Sequence, residues 1–232
     1  MATAIGDVLP LAVGVAISPT SIVIVILILL TQGARSKGIL FLVGWLSAMG
    51  LVAGIIIYLT NLGRRVEIFD RGITISPIIL VAVGLLLMIF GVLEWRSRAG
   101  PGDEDEEEMP GWMRLTDSVT PAKALGLGGY LSVGFPKNLM LVVGAAVVIA
   151  DANLSAGNTT IALVIFIILA SLGIGIPIGS YLAGGDAATT RLNRWKVALL
   201  ANDTAIVAVM LLVFGAYILG KGIGQFGDWQ IR

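Results

Sequence analysis

Six long apolar stretches constrain the fold of this chain more than any other feature, because each is long enough to cross a lipid bilayer. They lie at approximately residues 8–30, 39–60, 73–93, 124–150, 159–183 and 197–220. A helix needs about 20 apolar residues to cover roughly 30 Å of hydrocarbon, and continuous apolar runs lack the alternation of a transmembrane β-strand. The mean hydropathy of +0.96 also lies outside the range of soluble domains. The sequence therefore predicts an all-α integral membrane protein with six transmembrane helices in contact with the lipid bilayer.

The charge balance and the missing residue types exclude several classes of function. Lys+Arg and Asp+Glu both number 15, so there is no basic excess for a nucleic-acid partner. Cys and His are absent, which excludes thiol redox chemistry, Cys/His metal sites and imidazole catalysis. The ATP-binding pattern Gly-x-x-x-x-Gly-Lys-Ser/Thr does not occur. We therefore expect no catalytic residues, no metal and no cofactor, and we expect energy to come from an ion gradient or a partner.

The basic residues of the connecting loops predict the orientation in the membrane. One side of the membrane holds nine basic residues: Arg35, Lys37, Arg96, Arg98, Arg114, Lys123, Arg191, Arg194 and Lys196. The other side holds five: Arg64, Arg65, Arg71, Lys221 and Arg232. The positive-inside rule places the richer side in the cytoplasm and both termini outside. We expect a multi-pass protein of the plasma (inner) membrane.

The two halves of the chain repeat the same order of features. Residues 46–59 align with 169–182, Phe90-Gly91 aligns with Phe214-Gly215, and Pro19 falls near Pro136. Because each half has an odd number of spans, the second half is inverted relative to the first, as in many secondary transporters. The prediction is two inverted three-helix repeats at 1–95 and 122–232. They are joined by a cytoplasmic loop at 96–121, whose acidic run at 103–108 is typical of a solvated linker.

Polar residues interrupt the first and fourth spans at equivalent positions. The interruptions are Ser18, Pro19, Thr20 and Ser21 in the first span and Pro136, Lys137 and Asn138 in the fourth. Proline removes a backbone donor and displaces the carbonyl four residues earlier, so each helix should break near mid-depth, with Ser18 as an N-cap. The two half-helix N-termini would favour an anionic or strongly polar group between them. The alternative is that each proline only kinks its helix. Prolines at equivalent positions in the two halves favour the binding site over this alternative.

Lys137 is the central charge of the fourth span. A charge at the bilayer centre costs about 2.5–3.5 kcal/mol on insertion scales, so we expect it to face an enclosed polar cavity or a partner. The candidate partner is Asp203, flanked by Asn202 and Thr204 about two turns into the sixth span. Two interpretations stay open: an ion pair that only ties the helices together, and a gate that substrate or a proton loosens.

Several glycines stand four residues apart within the spans. These pairs are Gly50 and Gly54, Gly175 and Gly179, and Gly220 and Gly224. Small residues at this spacing permit close helix approach, so we expect packing contacts at them, and exposed small-residue faces also favour a homodimer. A hinge at residues 173–179, around Pro177, is the alternative.

Together these residues resemble a known family. The Ser-Pro and Pro-Lys-Asn breaks, Gly44-Trp45 near the start of the second span and the polar loop between halves are similar to the lysine exporter superfamily. Within it, the pattern most resembles the peptidoglycolipid addressing protein family, which includes sulfolipid-addressing proteins. That family often has Asn-Pro-Lys in the fourth span, where this chain has Phe135 before Pro136 and Lys137. The resemblance implies export or delivery of a cell-envelope glycolipid.

Three functions remain open on the sequence. The first is an exporter of an amphipathic anionic envelope lipid, with its site at the midplane between the broken helices. The second is an exporter of a small molecule such as an amino acid or a cation. The third is a non-transporting scaffold of an envelope-lipid export machine, in which Lys137 and Asp203 are structural only. An intramembrane enzyme is disfavoured, because paired buried acid-base groups are missing from the sequence.

Overall fold

A computed structural model describes residues 1–65, 77–96, 119–185 and 187–229 of the chain. The side chains of some residues in these ranges, Pro136 and Asp203 among them, are outside the description. All regular structure in these ranges is helical: α1 (Ala2–Ala16), α2 (Pro19–Leu29), α3 (Ala34–Arg65), α4 (Pro77–Arg96), α5 (Pro121–Val133), α6 (Pro136–Asp151), α7 (Ala156–Ala170), α8 (Leu172–Gly184), α9 (Ala187–Ala201) and α10 (Asp203–Trp229). The all-α prediction is therefore confirmed for the described part of the chain, while the acidic run at 103–108 lies outside it.

Three of the predicted spans consist of two helices joined at a bend. The chain bends by 53° between α1 and α2, by 66° between α5 and α6, and by 64° between α7 and α8. The segments Ala34–Leu62 of α3 and Thr204–Gly224 of α10 are each long and apolar enough to cross a membrane without a break. The described residues thus contain two to five candidate membrane crossings, depending on whether each bent pair counts as one. The sixth crossing and the inverted repeats stay predictions.

The chain divides into two compact units, each of which combines segments distant in sequence. The larger unit contains Met1–Ile68 and Glu108–Leu200, and the smaller contains Phe69–Glu107 and Ala201–Arg232. In the smaller unit α4 and α10 pack against each other along their lengths, with Gly84 close to Leu219 and Gly91 close to Leu212. The contacts run in opposite directions along the two helices, which are therefore antiparallel.

The core of the larger unit is built from stripes of side chains four residues apart. On α3 the buried stripe is Phe41, Trp45, Met49, Ala53 and Ile57, and it packs with buried residues of α1, α2 and α5 to α8. Residues four apart lie on one face of an α-helix. The ring of Trp45 stacks on that of Phe41, with centroids 6.4 Å apart.

The opposite face of α3 is apolar and uncovered. Leu51 is 63% exposed and Tyr58 is 66% exposed, and only 28% of the most apolar part of this helix is buried inside the protein. An apolar surface of this extent is unfavourable in water and suits hydrocarbon. The protein therefore contacts the lipid bilayer along this face, as the sequence predicts.

Close backbone approach occurs at other glycines than those expected. A Cβ on Gly44 would overlap the carbonyl oxygen of Leu125, and a Cβ on Gly128 would overlap that of Phe41, so α3 and α5 touch through their backbones. Gly54, Gly175, Gly179, Gly220 and Gly224 have no such neighbour within 4 Å among the described residues, and Gly50 makes only an ordinary contact with Ile167. The prediction of close helix packing at these pairs is wrong, because tertiary register decides which small residue meets another helix.

Candidate functional site

The first candidate segment begins a helix at the bend between α1 and α2, which confirms the expected break at Pro19. Ser18 is the N-cap of α2 in an extended conformation, Pro19 is its first residue, and the N–H of Ile22 donates to the Ser18 carbonyl at 3.0 Å. The hydroxyls of Ser18 and Ser21 lie 3.2 Å apart, and both residues are buried. Thr20 is half-buried. The Ser18 side chain thus pairs with another hydroxyl and caps no backbone N–H of α2.

The second candidate segment also begins a helix at a bend, the one between α5 and α6. Phe135 is the N-cap of α6, Pro136 is its first residue, and Leu139 N donates to Phe135 O at 2.9 Å. Asn138 is 1% exposed, and its Nδ2 donates to the carbonyl oxygen of Leu131 at 2.8 Å. That carbonyl lies in the last turn of α5, where helix geometry leaves oxygens without intrahelical partners. Asn138 therefore holds together the two helices that proline separates.

Capping distinguishes the helix starts at these breaks from two others in the same unit. The Thr120 side chain accepts a hydrogen bond from Lys123 N at the start of α5, and Ser155 accepts one from Asn158 N at the start of α7. The starts of α2 and α6 have no side-chain cap. The partial positive charge at a helix N-terminus favours an anion near each of these two starts.

The packing of α1 on α6 brings the two breaks level with each other. At one end, Ala4 and Asp7 of α1 line a cavity of about 350 Å³ with Val148 and Asp151 of α6. Further along α1, Leu11 lies 3.7 Å from the position of a Cβ on Gly144. The two helices are therefore antiparallel. Position 18 follows Leu11 by seven residues, and position 137 precedes Gly144 by seven residues. The end of α1 and the start of α6 therefore lie at the same level along the helix axes.

A third break, which the sequence did not reveal as a break, adjoins the first. The chain bends at Ser171, whose hydroxyl donates to the Ile167 carbonyl at 2.7 Å. A Cβ on Gly173 would overlap the carbonyl oxygen of Ala16, so the start of α8 lies directly against the end of α1. Pro177 lies inside α8, six residues after the bend, and the hinge expected at residues 173–179 stays a prediction. The sequence feature that could have indicated this break is Ser171-Leu172-Gly173 within an apolar stretch.

Lys137 is the second residue of α6, directly after the bend at Gly134 and Phe135, and its side chain is exposed. The expectation that it faces a polar cavity or a partner stays a prediction. Asn138, the next residue, takes the buried position at this helix start.

Residues Asn202, Asp203 and Thr204 lie at a helix start and not two turns into a helix. The N–H of Ile206 donates to the Asn202 carbonyl at 2.9 Å, and α10 begins at Asp203. Asn and Asp are strongly preferred at N-caps, which explains why the chain breaks here and why the expected start of the sixth span was too early. Asn202 is exposed and Thr204 is half-buried. Because the Asp203 side chain is outside the description, its pairing with Lys137 stays a prediction.

A comparison with protein-family models matches residues 8–224 to the SfLAP family, described as "Sap, sulfolipid-1-addressing protein". The match covers most of the chain and includes all the breaks described above. Searches of the curated proteins and of the solved structures found no match. The chain belongs to the sulfolipid-1-addressing protein family.

Proposed function

We propose that this protein is a membrane exporter, and not an enzyme, that translocates or delivers an anionic amphipathic lipid of the cell envelope. The observation that carries the proposal is the pair of uncapped helix starts at α2 and α6, which lie level in the α1–α6 packing. Backbone N–H groups and the partial positive charge of a helix N-terminus suit an anionic headgroup. Membership of a family named for sulfolipid-1 supports a sulfur-containing anionic lipid as the substrate class.

The surroundings of Lys137 favour a lipid over a small solute. Lys137 is exposed at the start of α6, and two large side chains nearby in sequence are also exposed, Tyr130 at 60% and Met140 at 73%. The rings of Tyr130 and Phe135 lie 5.8 Å apart in a tilted pair beside the break. A cationic residue in a segment with exposed large hydrophobic side chains suits a headgroup with acyl chains, which approaches laterally from the bilayer. A small amino acid or cation would instead need an enclosed aqueous path.

The setting of this function follows from the charge distribution. The basic loops favour a cytoplasmic position for the acidic loop and an extracytoplasmic one for both termini in the plasma membrane. The proposed partners beyond the bilayer are the lipid, the machinery that makes or exports it, and a second copy of the chain. In this scheme Lys137 binds the headgroup.

A deletion strain complemented with variants tests the proposal. Surface-extractable and total polar lipids are compared between the parent and the deletion strain, and between strains carrying the wild type, Lys137→Ala and Lys123→Ala. Lys123 is the matched control, because it is an exposed lysine in the first turn of α5. We expect the deletion to retain one anionic lipid inside the cell, and Lys137→Ala to reach the membrane at normal levels with less than about one tenth of wild-type export. Lys123→Ala should restore export.

Normal export by Lys137→Ala would remove the proposed role of this residue. An unchanged lipid inventory in the deletion strain would contradict lipid export as the function of this protein. Full function in the charge-swapped Lys137→Asp, Asp203→Lys variant would assign the pair to structure and favour the scaffold.

A further inference from the structure

Helix α9 (Ala187–Ala201) is a surface helix separate from α10, although the predicted sixth span includes its end. Ala188 and Leu192 are fully buried, and Trp195 and Leu199 pack against the core of the larger unit. These positions recur three or four residues apart, so they form one face of the helix. One face of α9 is therefore packed on the protein, and the other faces outward.

The outward side of α9 carries a row of four exposed residues. The row consists of Arg191, Arg194, Val197 and Leu200. Residues three apart are neighbours on the surface of a helix. The first two residues of the row are cationic and the last two are aliphatic, with Val197 61% exposed and Leu200 43% exposed. The row is therefore positively charged at one end and apolar at the other.

A hydrogen bond fixes the basic end of the row against α8. Nη1 of Arg191 donates to Oγ of Ser180 at 3.3 Å. A guanidinium has five N–H donors, so this bond positions the group and still allows it to bind an anion. Two residues earlier on α8, Cγ2 of Ile178 lies 3.8 Å from the position of a Cβ on Gly38. The start of α3, with Lys37 next to this contact, therefore adds a further cation at the same end of the larger unit.

The charge and the apolar half of the row together determine which ligand fits it. The sequence of α9 contains three basic residues and no acidic one, and Asp186 and Asp203 lie outside its bounds. An arginine guanidinium matches the geometry of a phosphate group and binds it through parallel hydrogen bonds. Inorganic phosphate has no apolar part to cover the aliphatic half of the row. The ligand that fits the whole row is therefore a phosphate joined to acyl chains.

We propose that α9 binds an anionic phospholipid of the adjacent membrane leaflet, with the phosphate at Arg191 and Arg194 and the acyl chains against Val197 and Leu200. This lipid is a component of the bilayer and is distinct from the exported lipid, so the inference goes beyond the proposed function. Basic amphipathic helices bind membrane surfaces, and each Lys or Arg near an anionic leaflet adds to the attraction. Because Arg191 also contacts α8, the bound lipid links the leaflet to a helix that follows one of the three bends.

Thermal unfolding of the purified full chain in lauryldimethylamine oxide tests this site. Midpoints are measured in titrations with phosphatidylglycerol, with phosphatidylcholine of the same acyl chains, and with inorganic phosphate. A ligand that binds the folded state raises the midpoint as its concentration exceeds its Kd. The key variants are Arg194→Gln and the double variant Arg191→Gln, Arg194→Gln. The matched controls are Lys196→Gln and the double variant Lys123→Gln, Lys196→Gln, which remove the same charge from outside the row.

We expect the wild type to bind phosphatidylglycerol at least about tenfold more tightly than phosphatidylcholine. Arg194→Gln should weaken the binding of phosphatidylglycerol about 3- to 10-fold, and the double arginine variant about 10- to 30-fold, because each basic residue adds to the attraction. The lysine controls should stay within about twofold of the wild type. Arg194→Gln decides the question if the double variant fails to fold, because Arg194 is exposed.

Three results would overturn the inference. Equal losses in the arginine and lysine variants would show that binding depends only on net charge. Stabilisation by inorganic phosphate as strong as that by phosphatidylglycerol would exclude a lipid as the specific ligand. Loss of the phosphatidylglycerol preference in Lys137→Gln, with normal binding by the arginine variants, would place the lipid at the proposed export site instead. Lipid export itself stands or falls with the deletion strain.

Discussion

Gly173, the second residue of α8, lies directly against the backbone carbonyl oxygen of Ala16, the last residue of α1. The Cδ1 atom of Ile22 is 3.4 Å from the same Cβ position, so α2 also borders it. Two bends from distant parts of the sequence are thereby joined by a contact that has room only for a hydrogen on the glycine Cα. Movement at one bend must therefore displace the other.

Substitution of Gly173 by alanine should destabilise the protein by about 1–3 kcal/mol, because the new methyl group overlaps a carbonyl oxygen that belongs to rigid backbone. Stability is measured as the fraction folded in an SDS titration of the purified protein. Gly175→Ala is the matched control, since a Cβ there meets no described atom within 4 Å. It should be neutral or stabilising by up to about 1 kcal/mol, as alanine is the better helix former. Equal effects of the two substitutions would contradict the contact with Ala16.

The close packing of α3 on α5 should accept an engineered disulfide. A Cβ on Gly129 would lie 3.6 Å from the Cβ of Ala48, which is within the 3.5–4.5 Å range of natural disulfides. The chain has no cysteine, so an Ala48→Cys, Gly129→Cys variant can form only this bond within one molecule. We expect near-complete loss of free thiols after mild oxidation, measured by maleimide labelling. Ala48→Cys with Gly126→Cys is the control, and comparable bond formation there would argue against the described helix contact.

Asn138→Leu should destabilise the protein by about 1 kcal/mol, because it leaves the Leu131 carbonyl without its donor in a buried position. Loss of Oδ1, which has no donor among the described residues, offsets part of this penalty, so the net effect should be smaller than for a fully paired asparagine. The SDS titration measures it, with Asn193→Leu at an exposed position of α9 as the control. A neutral Asn138→Leu together with a neutral control would show that the amide does not hold the α5/α6 break.

The breaks at Pro19 and Pro136 could be predicted because their cause is covalent. A proline lacks the N–H that continues a helix, wherever the helix lies. The position of Ser18 before the first residue of α2 and the apolar stretches follow equally from local chemistry, whereas the capping hydrogen bond expected of its side chain is not made. The bend at Ser171 could not be predicted in this way, since its backbone angles of −92° and −4° stay close to helical values. Its position depends on Gly173 fitting against Ala16, which is a contact between residues far apart in sequence.

The surroundings of the candidate polar residues are harder to predict than the breaks. Lys137 is exposed and follows a 66° bend, and its place in a polar site stays a prediction. The buried N–H of Trp45, which has no acceptor among the described residues, gives no sequence signal, because a tryptophan in an apolar helix normally indicates packing or an interfacial anchor. Whether a buried polar atom has a partner depends on the neighbours that the tertiary fold supplies.

The level arrangement of the two proline breaks can be tested by cross-linking across α1 and α6. A Ser18→Cys, Lys137→Cys variant of this cysteine-free chain should react rapidly with a bifunctional thiol reagent that spans about 8 Å, because the register set by Leu11 and Gly144 places positions 18 and 137 side by side. The control is Ser18→Cys with Val147→Cys, an exposed position on α6 ten residues further along, which corresponds to about 15 Å of helix rise. We expect at least about a tenfold difference in cross-linking rate between the two pairs, read as protection from a second labelling reagent. Equal rates would show that the helix starts are not level, and the paired N-termini would then no longer support an anion site.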